Sequence, residues 1–509
     1  VKTVKGQILR NAFSSWFALG INIVIGIFLS PFILHRLGDS AFGIWILIFS
    51  ITGYYGLFDL GIRSSVVRFV AKFSATNDSE NLARVINTSV FAYGGIGVLI
   101  MLLTVLGAFH IDSLFKIPPE YYSTARWIFM IVGASVAIGF PAGVFGGALE
   151  GLQRFYLVNS MNVVGSLVRA VAVVFVLTRG YGLLTLAVIT TIIPLIASLI
   201  GAGIALRILR TPIAWRYVSR ESARLMAHHS GLTFIMLMSS QLRFQSDEII
   251  LGTMMSTNAI TLFSIGARIV DYSKNVVLCI AQLVVPMSSQ SEAQGDANGL
   301  RRILIAGNRA CAFVILPISA SLIMLGKSVI EVWVGARYIA DSYPVLVVLM
   351  VPFTLMLAQG VSHRMLMGIS KHGTFAIVSF VEGVVNVLLS ILLIRPYGIF
   401  GDALGTSIPM MCTVLFFLPR HTCNRFGIGV ITFLRAAYTL PVLITLPMIA
   451  ALLLERRWFV PHRYIEVGMQ LAIAWSVYGV CFLWIYKRNR AFQIDQHALR
   501  GGLAASSSV

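Results

Sequence analysis

Apolar runs of roughly 18 to 25 residues recur along almost the whole chain, separated by short polar stretches. At ~1.5 Å rise per residue, each such run matches the ~30 Å hydrocarbon thickness of a bilayer. Spanning strands would alternate in polarity over about ten residues, and this chain shows no period-two alternation. The pattern predicts about fourteen helices, at 11–34, 41–60, 85–108, 123–149, 157–178, 183–206, 232–254, 258–290, 303–325, 343–368, 373–394, 402–420, 432–454 and 466–486. The predicted fold class is all-α integral membrane. The first run, Asn11 to Leu34, follows Lys2, Lys5 and Arg10 and is too long for the apolar core of a signal sequence, so it is expected to remain as a spanning helix.

Charge then orients the predicted helices. With the first three basic residues placed on one side, alternating loops carry roughly 23 Lys and Arg against 9 on the other side. By the positive-inside rule both termini face the cytoplasm of a bacterial inner membrane. No loop exceeds about 25 residues, so no extramembrane domain is available for a separate active site. Between the sixth and seventh helices, Arg216, Arg220, Arg224 and His228 recur every four residues, with Trp215, Val218 and Leu225 on another side. An amphipathic helix over 213–229, lying on anionic lipid, is expected. The net charge of +19 does not gather on a soluble module, which excludes the nucleic-acid class. Five cysteines are scattered without metal-ligand spacing, so neither a metal nor a disulfide framework is expected.

An internal repeat with an offset of about 214 to 220 residues pairs Leu37-Gly38 with Leu251-Gly252, and Thr76-Asn77-Asp78 with Gln294-Gly295-Asp296. It also pairs Tyr181-Gly182 with Tyr397-Gly398. Two six-helix halves are the usual material of alternating-access transporters, with the binding site between them near the midplane. The predicted organisation is an N-lobe at 1–210, an amphipathic linker at 211–230, a C-lobe at 231–422, two further helices at 423–487 and a tail at 488–509.

Charges inside the bilayer are costly and normally turned inward, so they are the site candidates. The seventh helix carries Arg243, Asp247 and Glu248; the eighth carries Arg268, Asp271, Lys274 and Asn275. The fifth has Asn159, Asn162, Ser166 and Arg169 on one side, and the eleventh has Glu382 and Asn386. The bland alternative is that Arg243 pairs with Asp247 and Arg268 with Asp271, only gluing helices together. A hydrated cavity suits stripes of this length better. Arginines in it would donate bidentate hydrogen bonds to phosphate, and the carboxylates would bind Na⁺ or a proton or balance charge. At the end of the second helix Asp59 and Arg63 stand one turn apart, as expected of an ion pair. Arg126, Arg309 and Arg435 lie near helix ends, where they are expected to snorkel.

The stretches Leu37-Gly38-Asp39-Ser40-Ala41-Phe42-Gly43-Ile44-Trp45, Leu57-Phe58-Asp59-Leu60-Gly61-Ile62 with Arg68, Ala148-Leu149-Glu150-Gly151-Leu152-Gln153-Arg154-Phe155, Ser246-Asp247-Glu248-Ile249-Ile250-Leu251-Gly252 and Val285-Pro286 resemble the polysaccharide-biosynthesis flippases. These belong to the multidrug/oligosaccharidyl-lipid/polysaccharide (MOP) exporter superfamily. The resemblance implies two six-helix lobes with two extra carboxyl-terminal helices. It also implies export of an undecaprenyl-diphosphate-linked repeat unit such as O-antigen, a lipid-linked oligosaccharide partner, membrane lipids around a monomer, and glycan polymerase and chain-length proteins alongside. Lipid II flippases of the same superfamily carry basic residues in the first helix, whereas the first helix predicted here, 11–34, has none before Arg36 at its outer end.

The expected site joins Arg63, Arg169, Arg243, Arg268, Lys274 and Asn275 as substrate-binding residues to Asp59, Asp247, Glu248, Asp271 and Glu382 as coupling or balancing residues. No cofactor is expected beyond Na⁺ or H⁺. Two other functions compete. A multidrug extruder would want an acid-dominated cavity, and a membrane glycan polymerase or ligase would want a large outer loop or a membrane-edge base. The nine histidines all map to loops or helix ends.

Overall fold

The computed structural model describes residues 2–227 and 230–488; His228 and the tail from 489 lie outside the described residues. Described residues form helices α1 to α19 and short 3₁₀ or π turns. They divide into two compact units, Lys2–Thr261 and the chain from Leu262 onward.

In the first unit α1 is Lys2–Leu37, α2 Asp39–Gly53, α3 Ile62–Ala75, α4 Ser79–Leu114, α5 Tyr122–Gly151, α6 Phe155–Thr178 and α7 Leu183–Leu209. Then come α8 (Arg220–Ala227), α9 (Ser230–Phe244), α10 (Ser246–Met254) and the start of α11 (Thr257–Gln282). The division falls after the predicted seventh helix rather than in the linker. That segment is fastened to α2: the Gln241 amide donates to the Gly53 carbonyl at 2.7 Å, and the Tyr54 hydroxyl to the Gln241 carbonyl at 3.2 Å.

The second unit continues with α12 Val284–Ala293, α13 Ala297–Val334, α14 Ile339–Ala358, α15 Gly360–Gly368, α16 Gly373–Cys412, α17 Leu418–Phe426, α18 Val430–Trp458 and α19 Tyr464–Arg488.

Among the described residues, twelve segments are long and apolar enough to cross a bilayer. One of them, Gly373–Phe426, holds two crossings, because α16 breaks at Gly398 (φ 58°, ψ −137°). The broken pair α9 and α10 supplies one more, since neither piece alone is long enough. Twelve plus these two gives fourteen, and each coincides with a predicted helix. Large apolar side chains point outward, Phe28, Phe109 and Val171 among them, as lipid contact allows.

Buried apolar residues of α3, α4, α5 and α7 form a core around Val66, Val70, Ile86, Val144, Ala148 and Ala205. In the second unit α18 and α19 pack on α13 through Leu325, Ile444, Met448, Leu452 and Tyr478. Arg309 does not snorkel. Its guanidinium donates twice to the Ala436 carbonyl, at 3.0 and 2.7 Å, and so binds α13 to α18. Arg126 reaches Asp112 at 2.6 Å.

The linker departs from expectation over half its length. Only Arg220–Ala227 is helical; before it lie an extended stretch and one 3₁₀ turn, Trp215–Tyr217. The cause is polar residues at the start of α4. The Asn87 amide donates to the Pro212 carbonyl at 3.0 Å and accepts from the Ala214 N–H at 2.8 Å, while Thr88 accepts from the Ser219 N–H at 3.0 Å. These bonds satisfy the linker backbone, so it gains nothing by coiling. Trp215 stands edge-on to Phe91, and buried Met226 packs with Phe69 and Val85. Arg216, Arg220 and Arg224 stay exposed with Ile213, Trp215 and Leu225.

One of the repeat matches is a true structural equivalence. Asp78 caps α4 through the Asn81 N–H at 3.0 Å, and Asp296 caps α13 through the Gly299 N–H at 2.7 Å. Each follows a residue of positive φ, Asn77 or Gly295. Leu37-Gly38 and Leu251-Gly252 are not equivalent: Gly38 turns between helices at φ 80°, whereas Gly252 lies inside α10. A pair that the sequence comparison missed replaces it. Gln153 (φ 59°) before Arg154 and Ser370 (φ 55°) before Lys371 close α5 and α15 with the same hydrogen bonds.

Candidate functional site

The polar stripe of α6 divides its labour. Asn159 donates to Ser14 and Ser15 of α1 at 3.0 and 2.8 Å, and Ser166 donates to Asn22 at 2.7 Å. These bonds fasten α6 to α1. Asn162 and Arg169, with Ser166, face a cavity of about 390 Å³, walled also by Asn22, Arg63, Gly146 and Ser198. A second cavity of about 420 Å³ adjoins it, sharing Arg169, Pro194 and Ser198 and adding Thr52, Ser135, Thr190 and Thr191. Arg169 therefore stands where the two meet. It lies 14 residues beyond Phe155, or roughly 21 Å along the helix. No carboxylate of the described residues lies within ion-pair distance of it. Pro194 in the wall has no N–H to give the Thr190 carbonyl, which leaves an acceptor there.

Arg63 reaches the first cavity from the start of α3. The expected pair with Asp59 is not the one formed. Asp59 accepts from the Arg63 backbone N–H at 3.1 Å and from the Tyr93 hydroxyl, so it caps α3 rather than meeting the guanidinium. The guanidinium pairs with Glu150 of α5 at 2.6 Å. Two of the stretches that carried the family resemblance thus meet here. α3 can lie this close to α5 because Gly147 and Gly151 present no side chain to it; a Cβ on Gly151 would fall 2.7 Å from the Val67 carbonyl oxygen.

The other predicted residues take different places. Arg243 is buried in the first unit near the Phe244 ring and lines neither of these cavities. Asp247 and Glu248 stand in the first turn of α10, where the helix dipole favours carboxylates. Arg268 belongs to the second unit with Lys274 and Asn275, all half-buried, and there Asp271 pairs with Lys274 at 2.5 Å.

Glu382 and Asn386 are buried, at 5% and 1% exposure, in a polar cluster made where α16 folds back at Gly398. Asn386 accepts from Ser390 and Thr406 at 3.3 Å, and Ser390 also donates to the Asp402 carbonyl at 3.2 Å. The Asp402 side chain is fully buried beside them. Sequence reasoning missed Asp402, Ser390 and Thr406, as well as Glu150. Their signal was faint: Glu382, Asn386 and Ser390 recur every four residues, and Asp402 and Thr406 repeat that spacing after the turn.

The fold of this helix bundle is shared with solved transporter structures. One solved structure, of the lipid II flippase MurJ in an inward closed conformation, aligns with a TM-score of 0.71 at 16% identity, covering 94% of this chain and 99% of that one. An inward-facing multidrug resistance MATE family transporter aligns with a TM-score of 0.69 at 18% identity, covering 80% and 94%. A Shigella flexneri protein named "Putative O-antigen transporter" is 22% identical over 424 residues, 80% of this chain and 96% of that one. The model of the polysaccharide biosynthesis protein family matches residues 8–292, more than half of the chain. The chain belongs to that family.

Proposed function

We propose that this protein is a flippase that carries an undecaprenyl-diphosphate-linked oligosaccharide across a bacterial inner membrane by alternating access. The observation that carries this reading is Arg169: a guanidinium deep in a membrane helix, lining two cavities, with no protein carboxylate among the described residues within ion-pair distance. A charge so placed is costly unless water or an anion meets it. A phosphate suits its planar fork. Arg63 adds a second such fork on the same wall. Family membership and the Shigella relative's name as an O-antigen transporter support a lipid-linked sugar as cargo. An organic-cation extruder is disfavoured, because the cavity is basic. On the expected orientation, with both termini cytoplasmic, Arg63 follows the second crossing and so lies towards the side where the glycan is made.

Coupling is assigned to the second unit. Glu382 and Asp402 are buried carboxylates on the two arms of α16 that Asn386, Ser390 and Thr406 hold together, and each is a candidate to take up Na⁺ or a proton. Glu382→Gln with Asp402→Asn should then abolish the dependence of transport on the corresponding gradient.

The test of the main reading is transport in reconstituted vesicles, following a lipid-linked oligosaccharide to the leaflet where a soluble glycosidase can reach it. Losing a charge-assisted hydrogen bond costs about 1.5–3 kcal/mol, so Arg169→Ala should slow transport by about 10- to 150-fold. Wild-type transport by Arg169→Ala would sink the proposal.

A further inference from the structure

Arg63 is held by two carboxylates in two different ways. Asp59 takes its backbone N–H, and is itself tied to Tyr93, so the start of α3 is anchored through the main chain. Glu150 takes only the guanidinium. The side chain can therefore leave Glu150 without unwinding the helix. The pair lies in the open rather than in a sealed core: the Arg63 side chain is 48% exposed and that of Glu150 is 21% exposed. Gly146, one turn before Glu150, lines the same cavity with Arg63. An ion pair this exposed is worth little. A diphosphate, with more charge and more acceptor oxygens than one carboxylate, would outbid it.

We infer that Glu150 is an internal competitor for Arg63, occupying its guanidinium until the phosphates of an anionic lipid displace it. This inference rests on the phosphate-binding reading of the cavity. Glu150 then acts as a specificity residue. It sets a modest preference for strongly anionic headgroups, about the worth of the exposed pair, because a neutral lipid regains nothing for breaking it. It also keeps Arg63 partnered between cargoes, where an unpaired guanidinium would hold any passing anion. Arg169 has no such competitor among the described residues, so the two arginines differ in role: Arg169 is always ready, and Arg63 is conditional.

The probe is farnesyl diphosphate binding to the full chain in nanodiscs, with farnesol as the neutral control. Glu150→Gln removes the competing charge and keeps the shape, so diphosphate should bind about fivefold tighter, the equivalent of one exposed ion pair, with farnesol unchanged. In an Arg63→Ala background the same substitution should give no gain. A merely structural bridge predicts the opposite sign, with unchanged or weaker binding and a lower melting temperature. Either that result, or a gain that persists without Arg63, overturns the competitor role while leaving the phosphate site standing. If the wild-type chain does not distinguish farnesyl diphosphate from farnesol, the phosphate site itself falls, and the competitor with it. Should Glu150→Gln fail to fold, Glu150→Asp shortens the carboxylate's reach by one methylene and is judged by the same signs.

Discussion

The contact between α3 and α5 fixes where Arg63 and Glu150 meet, and one methyl group should be enough to disturb it. A Cβ at position 151 would lie 2.7 Å from the Val67 carbonyl oxygen and 3.1 and 3.2 Å from the Val70 Cβ and Cγ1. The first of these is backbone, so no rotamer change relieves it, and the helices must part by several tenths of an ångström. Overpacking of this kind costs about 1–3 kcal/mol. Gly147, one turn earlier on the same face, supplies the control: its Cβ would stand 3.4 Å from the Arg63 Cγ, an ordinary contact with a flexible side chain. Gly151→Ala should therefore lower the melting temperature in detergent by several degrees, followed by tryptophan fluorescence, while Gly147→Ala should match wild type. Equal stability of the two variants, in either direction, would refute the packing account of these glycines.

Other outcomes follow from single contacts. Asn87→Ala removes two bonds to the linker, each worth about 1 kcal/mol, so limited proteolysis between 211 and 227 should run about 10- to 30-fold faster; an unchanged rate would mean the linker is held elsewhere. Gly398→Ala places a side chain at φ 58°, ψ −137°, a strain of about 1–3 kcal/mol, and should lower thermal stability measurably in the same fluorescence assay. Asp78, held below the usual carboxylate range by its hydrogen bonds to Asn81, caps α4 as the anion. A depressed value means the stabilisation is present above the ordinary carboxylate value, about 3.9, and is lost as pH falls through the lower one. Hydrogen exchange at residues 79–82 should stay protected at pH 5 in wild type, and be faster there in Asp78→Ala.

The fourteen crossings were legible because bilayer thickness writes itself into run length, a constraint that no tertiary contact overrides. The breaks were not. Gln245 ends α9 with helix-compatible neighbours on both sides, and Gln359 separates α14 from α15 while its amide donates to the Val414 carbonyl at 2.8 Å. That contact is remote in sequence, and no local pattern announces it. The linker failed for the same reason: its arginine spacing is helical, yet Asn87 and Thr88, more than 120 residues away, decide its backbone.

Among site candidates, depth in the bilayer picked out Arg169, which lines both cavities, but also Arg243, which lines neither, since sequence gives depth and not the direction a buried side chain finally takes. Asp59 and Arg63 were expected to pair because they stand one turn apart. The carboxylate spent itself on backbone and Tyr93, and Glu150 took the charge. The family stretch Phe42-Gly43 has a physical cause too, for a Cβ at Gly43 would fall 1.8 Å from the Thr257 carbonyl oxygen.

The most direct test is to locate the phosphates. A cryo-electron microscopy map of the chain with a bound prenyl diphosphate should show a phosphate oxygen within hydrogen-bond distance, about 3 Å, of the Arg169 guanidinium in the chamber walled by Asn22, Arg63 and Asn162. Phosphate density lodged elsewhere, with water alone around Arg169, would contradict the account.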